Sequence, residues 1–125
     1  MDTRTKILTP AQGEGLQPAR PLLLVTGHFD ILRAELVQEL AAARRRATAQ
    51  ALAVAIQPST DELVPAAARA EMAAALRVVD YVFIAGNEEL DRLAAALQPT
   101  EIIHLEEADR RRARQLIEHV QRRQC

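Results

Sequence analysis

Apolar residues in this chain alternate between short continuous runs and longer stretches with helical spacing. The first clear run, Pro21-Leu22-Leu23-Leu24-Val25-Thr26-Gly27, is short, unbroken and closed by glycine. That pattern predicts a strand buried on both faces. From Ile31 to Thr48 the pattern changes. Ile31, Leu32, Ala34, Leu36, Val37, Leu40 and Ala41 recur at helical spacing, and Arg44-Arg45-Arg46 falls in the last turn, where cations suit the helix dipole. Asp30 directly precedes this helix as its N-cap.

The alternation then repeats. Ala51 to Ile56 predicts a strand, 57–65 a loop, and Ala66 to Leu76 a helix. Asp80 to Ala85 predicts a strand closed by Gly86, followed by a helix over Glu88 to Leu97 with Asn87 as its cap and Pro99 as its stop. Glu101 to Leu105 predicts a fourth strand, and Glu106 to about Arg123 a last helix with Ala113, Leu116, Ile117 and Val120 as its apolar stripe. Repeated strand–helix units build a parallel sheet joined by right-handed crossovers. The expected fold is therefore α/β, a single parallel sheet of four or five strands with helices on both faces. Residues 1–20 are mixed: Thr9-Pro10 can start a helix, and Gly13, Gly15 and Pro18 limit it to about a turn. The reading is a lead-in segment over 1–20, partly ordered, and one α/β domain over 21–125.

Composition narrows the chemistry. At 125 residues with 49% apolar composition, the chain can bury a core of its own, and with only Phe29, Phe83 and Tyr81 as aromatics that core is aliphatic. A net charge of −1 gives no general attraction for nucleic acid or an anionic membrane. No apolar run reaches the roughly 20 residues of a membrane span, and Met1 to Pro10 lacks an apolar signal core, so a cytoplasmic protein is expected. Cys125, the one cysteine, excludes a disulfide scaffold and a cysteine-based metal site. His104 and His119 lack metal-ligand spacing, and no metal site is predicted. His104, among Ile102, Ile103 and Leu105, reads as a half-buried histidine inside a strand, and His119 as an exposed one.

In an open parallel sheet, ligands bind at the carboxyl ends of the strands near the point where strand order reverses. Thr26-Gly27-His28-Phe29-Asp30 occupies such an end and opens the first long helix, a position whose N–H groups suit an anion. The segment Val25-Thr26-Gly27-His28-Phe29-Asp30-Ile31-Leu32 resembles the opening of the cytidylyltransferase-like nucleotidyltransferases, whose pattern is G-x-F-D-x-x-H-x-G-H; Gly27, Phe29 and Asp30 match it. Arg69-Ala70-Glu71 through Leu76-Arg77-Val78-Val79-Asp80 is similar to the R-x-E-x-x-x-x-L-R-x-V-D segment of that family, and Leu97-Gln98-Pro99-Thr100-Glu101-Ile102-Ile103 to its L-x-P-D-x-x-V. The likeness runs in order over about residues 21–120. It implies a Rossmann-like nucleotidyltransferase fold, a CTP or ATP pocket with Mg²⁺ accompanying the nucleotide, and a homodimer. It assigns nucleotide contact to Thr26, Gly27, His28, Phe29, Asp30 and Arg33. It places Arg69 and Arg77 near the dimer contact and the mouth of the site; as a bland reading, each forms a surface ion pair with Glu71 or Asp80.

The departures bear on catalysis. The family's H-x-G-H positions hold Arg33, Ala34, Glu35 and Leu36 here, so both histidines are gone. The loop 57–65 has no Lys, Arg or Gly, and no Ser or Thr follows Thr100 to supply the family's hydroxyl-rich last turn. Ser59, the one serine, has no catalytic partner in the sequence, and the one lysine is Lys6. Phosphoryl-transfer catalysis is positioning plus charge stabilisation, and losing one donor typically costs on the order of 10²–10³ in rate. The leading expectation is a pseudoenzyme that binds a nucleotide with transfer lost or much reduced. A second is an active enzyme moving CMP or AMP to a sugar- or polyol-phosphate, with His28, Arg33 and the arginines at 110–112 and 114 as substitute donors. A third is a non-catalytic dimerisation or interaction module. The Arg110-Arg111-Arg112 run otherwise reads as a solvated face balanced by Glu106, Glu107, Asp109 and Glu118.

Overall fold

A computed structural model describes residues 2–29, 34–58 and 64–105. It contains a five-stranded, wholly parallel sheet. The strands are β1 (Ile7–Leu8), β2 (Leu22–Gly27), β3 (Ala51–Ile56), β4 (Tyr81–Ile84) and β5 (Glu101–His104). Their spatial order is β1-β4-β3-β2-β5. The helices are α1 (Pro10–Glu14), α2 (Ala34–Arg46), α3 (Ala66–Ala74) and α4 (Asn87–Leu97). The α/β reading of the sequence holds, and the last helix predicted over 106–123 lies outside the described residues.

Strand alternation divides the core into two layers. Leu23 and Val25 of β2, with Leu52, Val54 and Ile56 of β3, pack with Leu36 and Leu40 of α2 and Ala70, Ala73 and Ala74 of α3. On the other face, Leu22 and Leu24 with Ala51, Ala53 and Ala55 pack with Phe83 and with Leu90, Leu93 and Leu97 of α4. In β3, therefore, large side chains face α2 and α3, where the partner surface includes small alanines. Its own alanines face the leucines of α4. Large against small across each layer lets the surfaces interdigitate at native density. Both central strands are buried at every residue, which is why their sequences read as continuous apolar runs rather than as alternating ones.

The first twenty residues do more than lead in. Ile7 and Leu8 pair with Val82 and Phe83, so β1 extends the sheet beyond β4. Thr9 caps α1 through a reciprocal capping box with Gln12, with Pro10 following the cap as expected. Long side chains close helix ends elsewhere. Lys6 Nζ donates to the carbonyls of Leu76 (3.1 Å) and Val79 (2.7 Å) just beyond α3, and Arg20 donates to those of Leu97 (2.6 Å) and Gln98 at the end of α4. Gly86, not Asn87, is the N-cap of α4; Asn87 is its first helical residue and accepts a hydrogen bond from Gln57. The helix ends as expected before Pro99, through Gln98 in the left-handed conformation.

At the amino end of the sheet, Arg44 of α2 binds the Asp80 carboxylate (3.0 Å) and the carbonyls of Val78 and Gln50, while Asp80 also accepts the Leu52 N–H (2.9 Å). The expected pairing of Asp80 with Arg69 or Arg77 is thus replaced by one with Arg44. This staple fixes α2 to the entries of β3 and β4.

Gly13 of α1 sits against α4 and β4. A Cβ added there would lie 2.5 Å from Leu93 Cδ1 and 2.7 Å from Phe83 Cε1. Gly→Ala inside a helix ordinarily gains about 1 kcal/mol, and overpacking a filled site typically costs about 1–3 kcal/mol. Because ring and leucine are both fully buried, the second effect dominates. Gly13→Ala is expected to lower the melting temperature by a few degrees in a thermal scan; an unchanged or raised value would show that α1 yields freely.

Candidate functional site

The sheet reverses direction at β2. The chain runs outward from β2 to β3 and β4, and then returns through α4 to place β5 on the other side of β2. In open α/β sheets the carboxyl ends of the two strands beside such a reversal, here β2 and β5, are where ligands bind. The strands are held in register up to that edge. Thr26 lies beside His104, Leu105 N donates to the Thr26 carbonyl (2.8 Å), and Gln57 N donates to the Gly27 carbonyl (2.9 Å).

The turn leaving β2 is built unusually. Gly27 ends the strand, and the left-handed residue is not glycine but Phe29, with φ of 56°. For a residue with a Cβ that conformation costs roughly 1–2 kcal/mol. It is held because the Phe29 ring is buried in the layer formed with α2 and α3. The phenylalanine matched by sequence pattern is thus the core anchor that pins the turn.

Two imidazoles occupy this edge. His104 is the last residue of β5, exposed, and its Nδ1 lies 2.8 Å from the hydroxyl of Thr26, which is itself fully buried. A threonine hydroxyl both donates and accepts, so it can serve either protonation state of Nδ1, and the contact sets the ring's orientation. His28 Nδ1 lies 3.3 Å from the Gln57 carbonyl. A carbonyl only accepts, so this contact calls for a proton on Nδ1. The structure therefore reassigns His104, read from sequence as a half-buried strand residue, to the carboxyl edge beside Thr26. The signal for it was the strand order: once the last strand lies against the first, its final residue must stand beside the first strand's end.

Arg69, on α3, is also unlike its expectation. It is fully buried rather than a surface ion-pair residue. Its guanidinium donates to three main-chain carbonyls: Val64 (3.0 Å, from Nε), Gln57 (3.3 Å, from Nη1) and His28 (from Nη1). These belong to the entry of α3, the exit of β3 and the turn after β2. Arg77 lies elsewhere. It is exposed and lines a shallow depression with Val37, Arg44, Val78 and Asp80 at the amino end of the sheet, at the other end from Thr26 and His104.

Thr26, Gly27, His28 and Phe29 are thus brought to one edge with His104, whereas Asp30 and Arg33 lie outside the described residues, as do Ser59, Arg110–Arg112, Arg114, His119 and Cys125. Of the positions that the resemblance sets against H-x-G-H, Ala34 and Glu35 are exposed at the start of α2, and Leu36 is a fully buried core residue. Among the described residues, no group of three or more His, Cys, Asp or Glu converges to hold a metal, and no helix is long and apolar enough to cross a membrane.

No family model matches this chain, and no curated protein does. Among solved structures it is similar to the lipopolysaccharide core biosynthesis protein from Thermoplasma volcanium GSS1, with a TM-score of 0.57 and 18% sequence identity over 65% of this chain and 70% of that one. The two chains share a fold. At that identity the likeness speaks to architecture, and the parallel α/β sheet expected from sequence is the architecture found.

Thr26→Val removes the hydroxyl that faces His104 at nearly constant volume. Losing a neutral hydrogen bond costs about 1 kcal/mol, so the fold should survive. The ¹⁵N shifts of the His104 ring should then change as it loses its fixed Nδ1 contact, while those of His28 stay. Identical His104 spectra in both proteins would contradict the pairing.

Proposed function

We propose that this chain is a diverged member of the cytidylyltransferase-like nucleotidyltransferases. On this reading it binds the phosphates of a nucleoside triphosphate, CTP or ATP, in the crevice between β2 and β5, with nucleotidyl transfer lost or much reduced. The observation that carries the reading is the Thr26–His104 pair at the strand-order reversal, with His28 on the same edge. Imidazole N–H groups and a nearby main-chain turn suit anionic oxygens. The fold shared with a protein described as acting in lipopolysaccharide core biosynthesis supports it, as does the order of the sequence motifs.

Reduced transfer follows from the residues at the family's two histidine positions. Arg33 stands at one. At the other, Leu36 is a core residue and offers a phosphate nothing. Glu35 between them adds an exposed carboxylate at the start of α2, unfavourable beside a triphosphate unless a cation neutralises it. Mg²⁺ would arrive on the phosphates and keep most of its water, as it does in sites that lack an all-protein cage.

Thermal unfolding with CTP and with ATP, each with and without Mg²⁺, tests this. A ligand at about 100 times its dissociation constant adds roughly 2.7 kcal/mol, a rise of about 10 °C for a domain of this size. One of the two nucleotides is expected to give that rise, with no pyrophosphate released when a sugar- or polyol-phosphate is added. Pyrophosphate release would replace the pseudoenzyme with a working transferase. No shift at millimolar nucleotide would overturn nucleotide binding and favour an interaction module.

A further inference from the structure

Strand β5 is the least buried strand of the sheet. Among the described residues its one sheet neighbour is β2. Ile102 is 40% exposed, and Ile103 and Leu105 are half-buried. The last two point to the face that carries α2 and α3. Those helices pack over β2, β3 and β4, and the described residues set no helix over β5 on that face. A groove of about 280 Å³ therefore runs between α2 and β5, lined by Val25, Leu40, Ala43, Ile103 and Leu105. Glu39 and Arg46, two turns apart on one side of α2, form its charged rim.

The chain itself leads into this groove, since Leu105 lines it and 106–125 follow directly. We infer that the segment 106–123, which lies outside the described residues, docks there as an amphipathic helix through Ala113, Leu116, Ile117 and Val120, and that this contact holds β5 and His104 against β2. A segment that leaves β5 at its carboxyl end and lies on the sheet must run back toward the amino end, side by side with α2 and in the same direction. At about 1.5 Å per residue a helix over 106–123 spans roughly 27 Å, longer than α2 beside it. Its apolar stripe recurs at spacings of three and four, as a buried helix face requires. With that stripe against Ile103 and Leu105, right-handed winding turns Arg110 and Arg114 toward α2, opposite Glu39. About two turns further on, Glu118 comes level with Arg46. The register that buries the stripe thus also brings opposite charges together. On the other face β5 offers one apolar side chain, Ile102, whereas the groove offers two with the wall of α2 beside them. The docking holds whether or not a nucleotide binds.

Methyl NOE spectra of the ¹³C-labelled full chain test this. Contacts are expected from the Leu116 and Ile117 methyls to those of Ile103 and Leu105. They should be absent from an isotope-filtered spectrum of mixed labelled and unlabelled chains, because they lie within one chain. Contacts that appear in the filtered spectrum put a second copy in the groove and overturn the inference. Contacts of the stripe to Ile102, or none to β5, place the segment elsewhere and overturn it as well. Ile117→Asp in the full chain then tests whether the docked segment holds β5. It should speed hydrogen exchange at the β5 amides by about tenfold or more relative to those of β3, and change the ¹⁵N shifts of the His104 ring. Equal loss of protection in β5 and β3 would show that β5 stands without the segment. If Ile117→Asp does not fold, the contacts in the parent protein decide the matter.

Discussion

Strand β2 is hydrogen-bonded along its length to β3 on one side and to β5 on the other, and the remaining structure is arranged around that constraint. A strand so placed must be apolar on both faces, and all six of its residues are buried. Because its two neighbours follow it by opposite routes, the chain diverges at its carboxyl end. The crossover through α2 leads from β2 to β3, away from β5, so no connection links β2 to β5 directly, and open α/β sheets bind ligands at such a reversal. Among the described residues, the fold brings Thr26, His28 and His104 to this edge, from positions 78 residues apart in sequence at the Thr26–His104 contact.

Stability and site are linked through Arg69 and Phe29. A buried guanidinium is costly to desolvate and is tolerated when its donors are satisfied. Here Nε and Nη1 donate to main-chain carbonyls from three connections at the carboxyl edge. Phe29 works from the same core layer, holding a left-handed turn that its own backbone disfavours. At the amino end, Arg44 and Asp80 make a comparable staple. That pair is partly exposed and worth little as an ion pair; its value lies in the carbonyls and the Leu52 N–H that it satisfies. One arginine thus secures each end of the sheet.

How much could be read from sequence follows from the range of the interactions. Ala51–Ile56 was readable to the residue because burial on both faces writes itself into a continuous apolar run. Thr9-Pro10 was readable because capping is local. The Thr26–Phe29 turn was readable because a family pattern falls on it. β1 was not, since two residues without periodicity become a strand only by lying against β4. His104 was misplaced because an imidazole beside Ile102 and Ile103 has the local signature of a core histidine, and only the strand order sets it next to Thr26. Arg69 resembled a surface residue of an alanine-rich helix; its acceptors are carbonyls, which no side-chain pattern encodes. Gly86 and Asn87 exchanged roles by one position, an ordinary uncertainty at helix ends.

We propose that the carboxyl edge between β2 and β5 receives the phosphates of a nucleotide. A crystal structure of the full chain grown with CTP or ATP and Mg²⁺ tests it most directly. The expected result is phosphate oxygens against the Thr26–Phe29 turn and the His104 ring, between the carboxyl ends of the two strands. A nucleotide seated elsewhere on the molecule, or a crevice closed by its own side chains at saturating nucleotide, would contradict it.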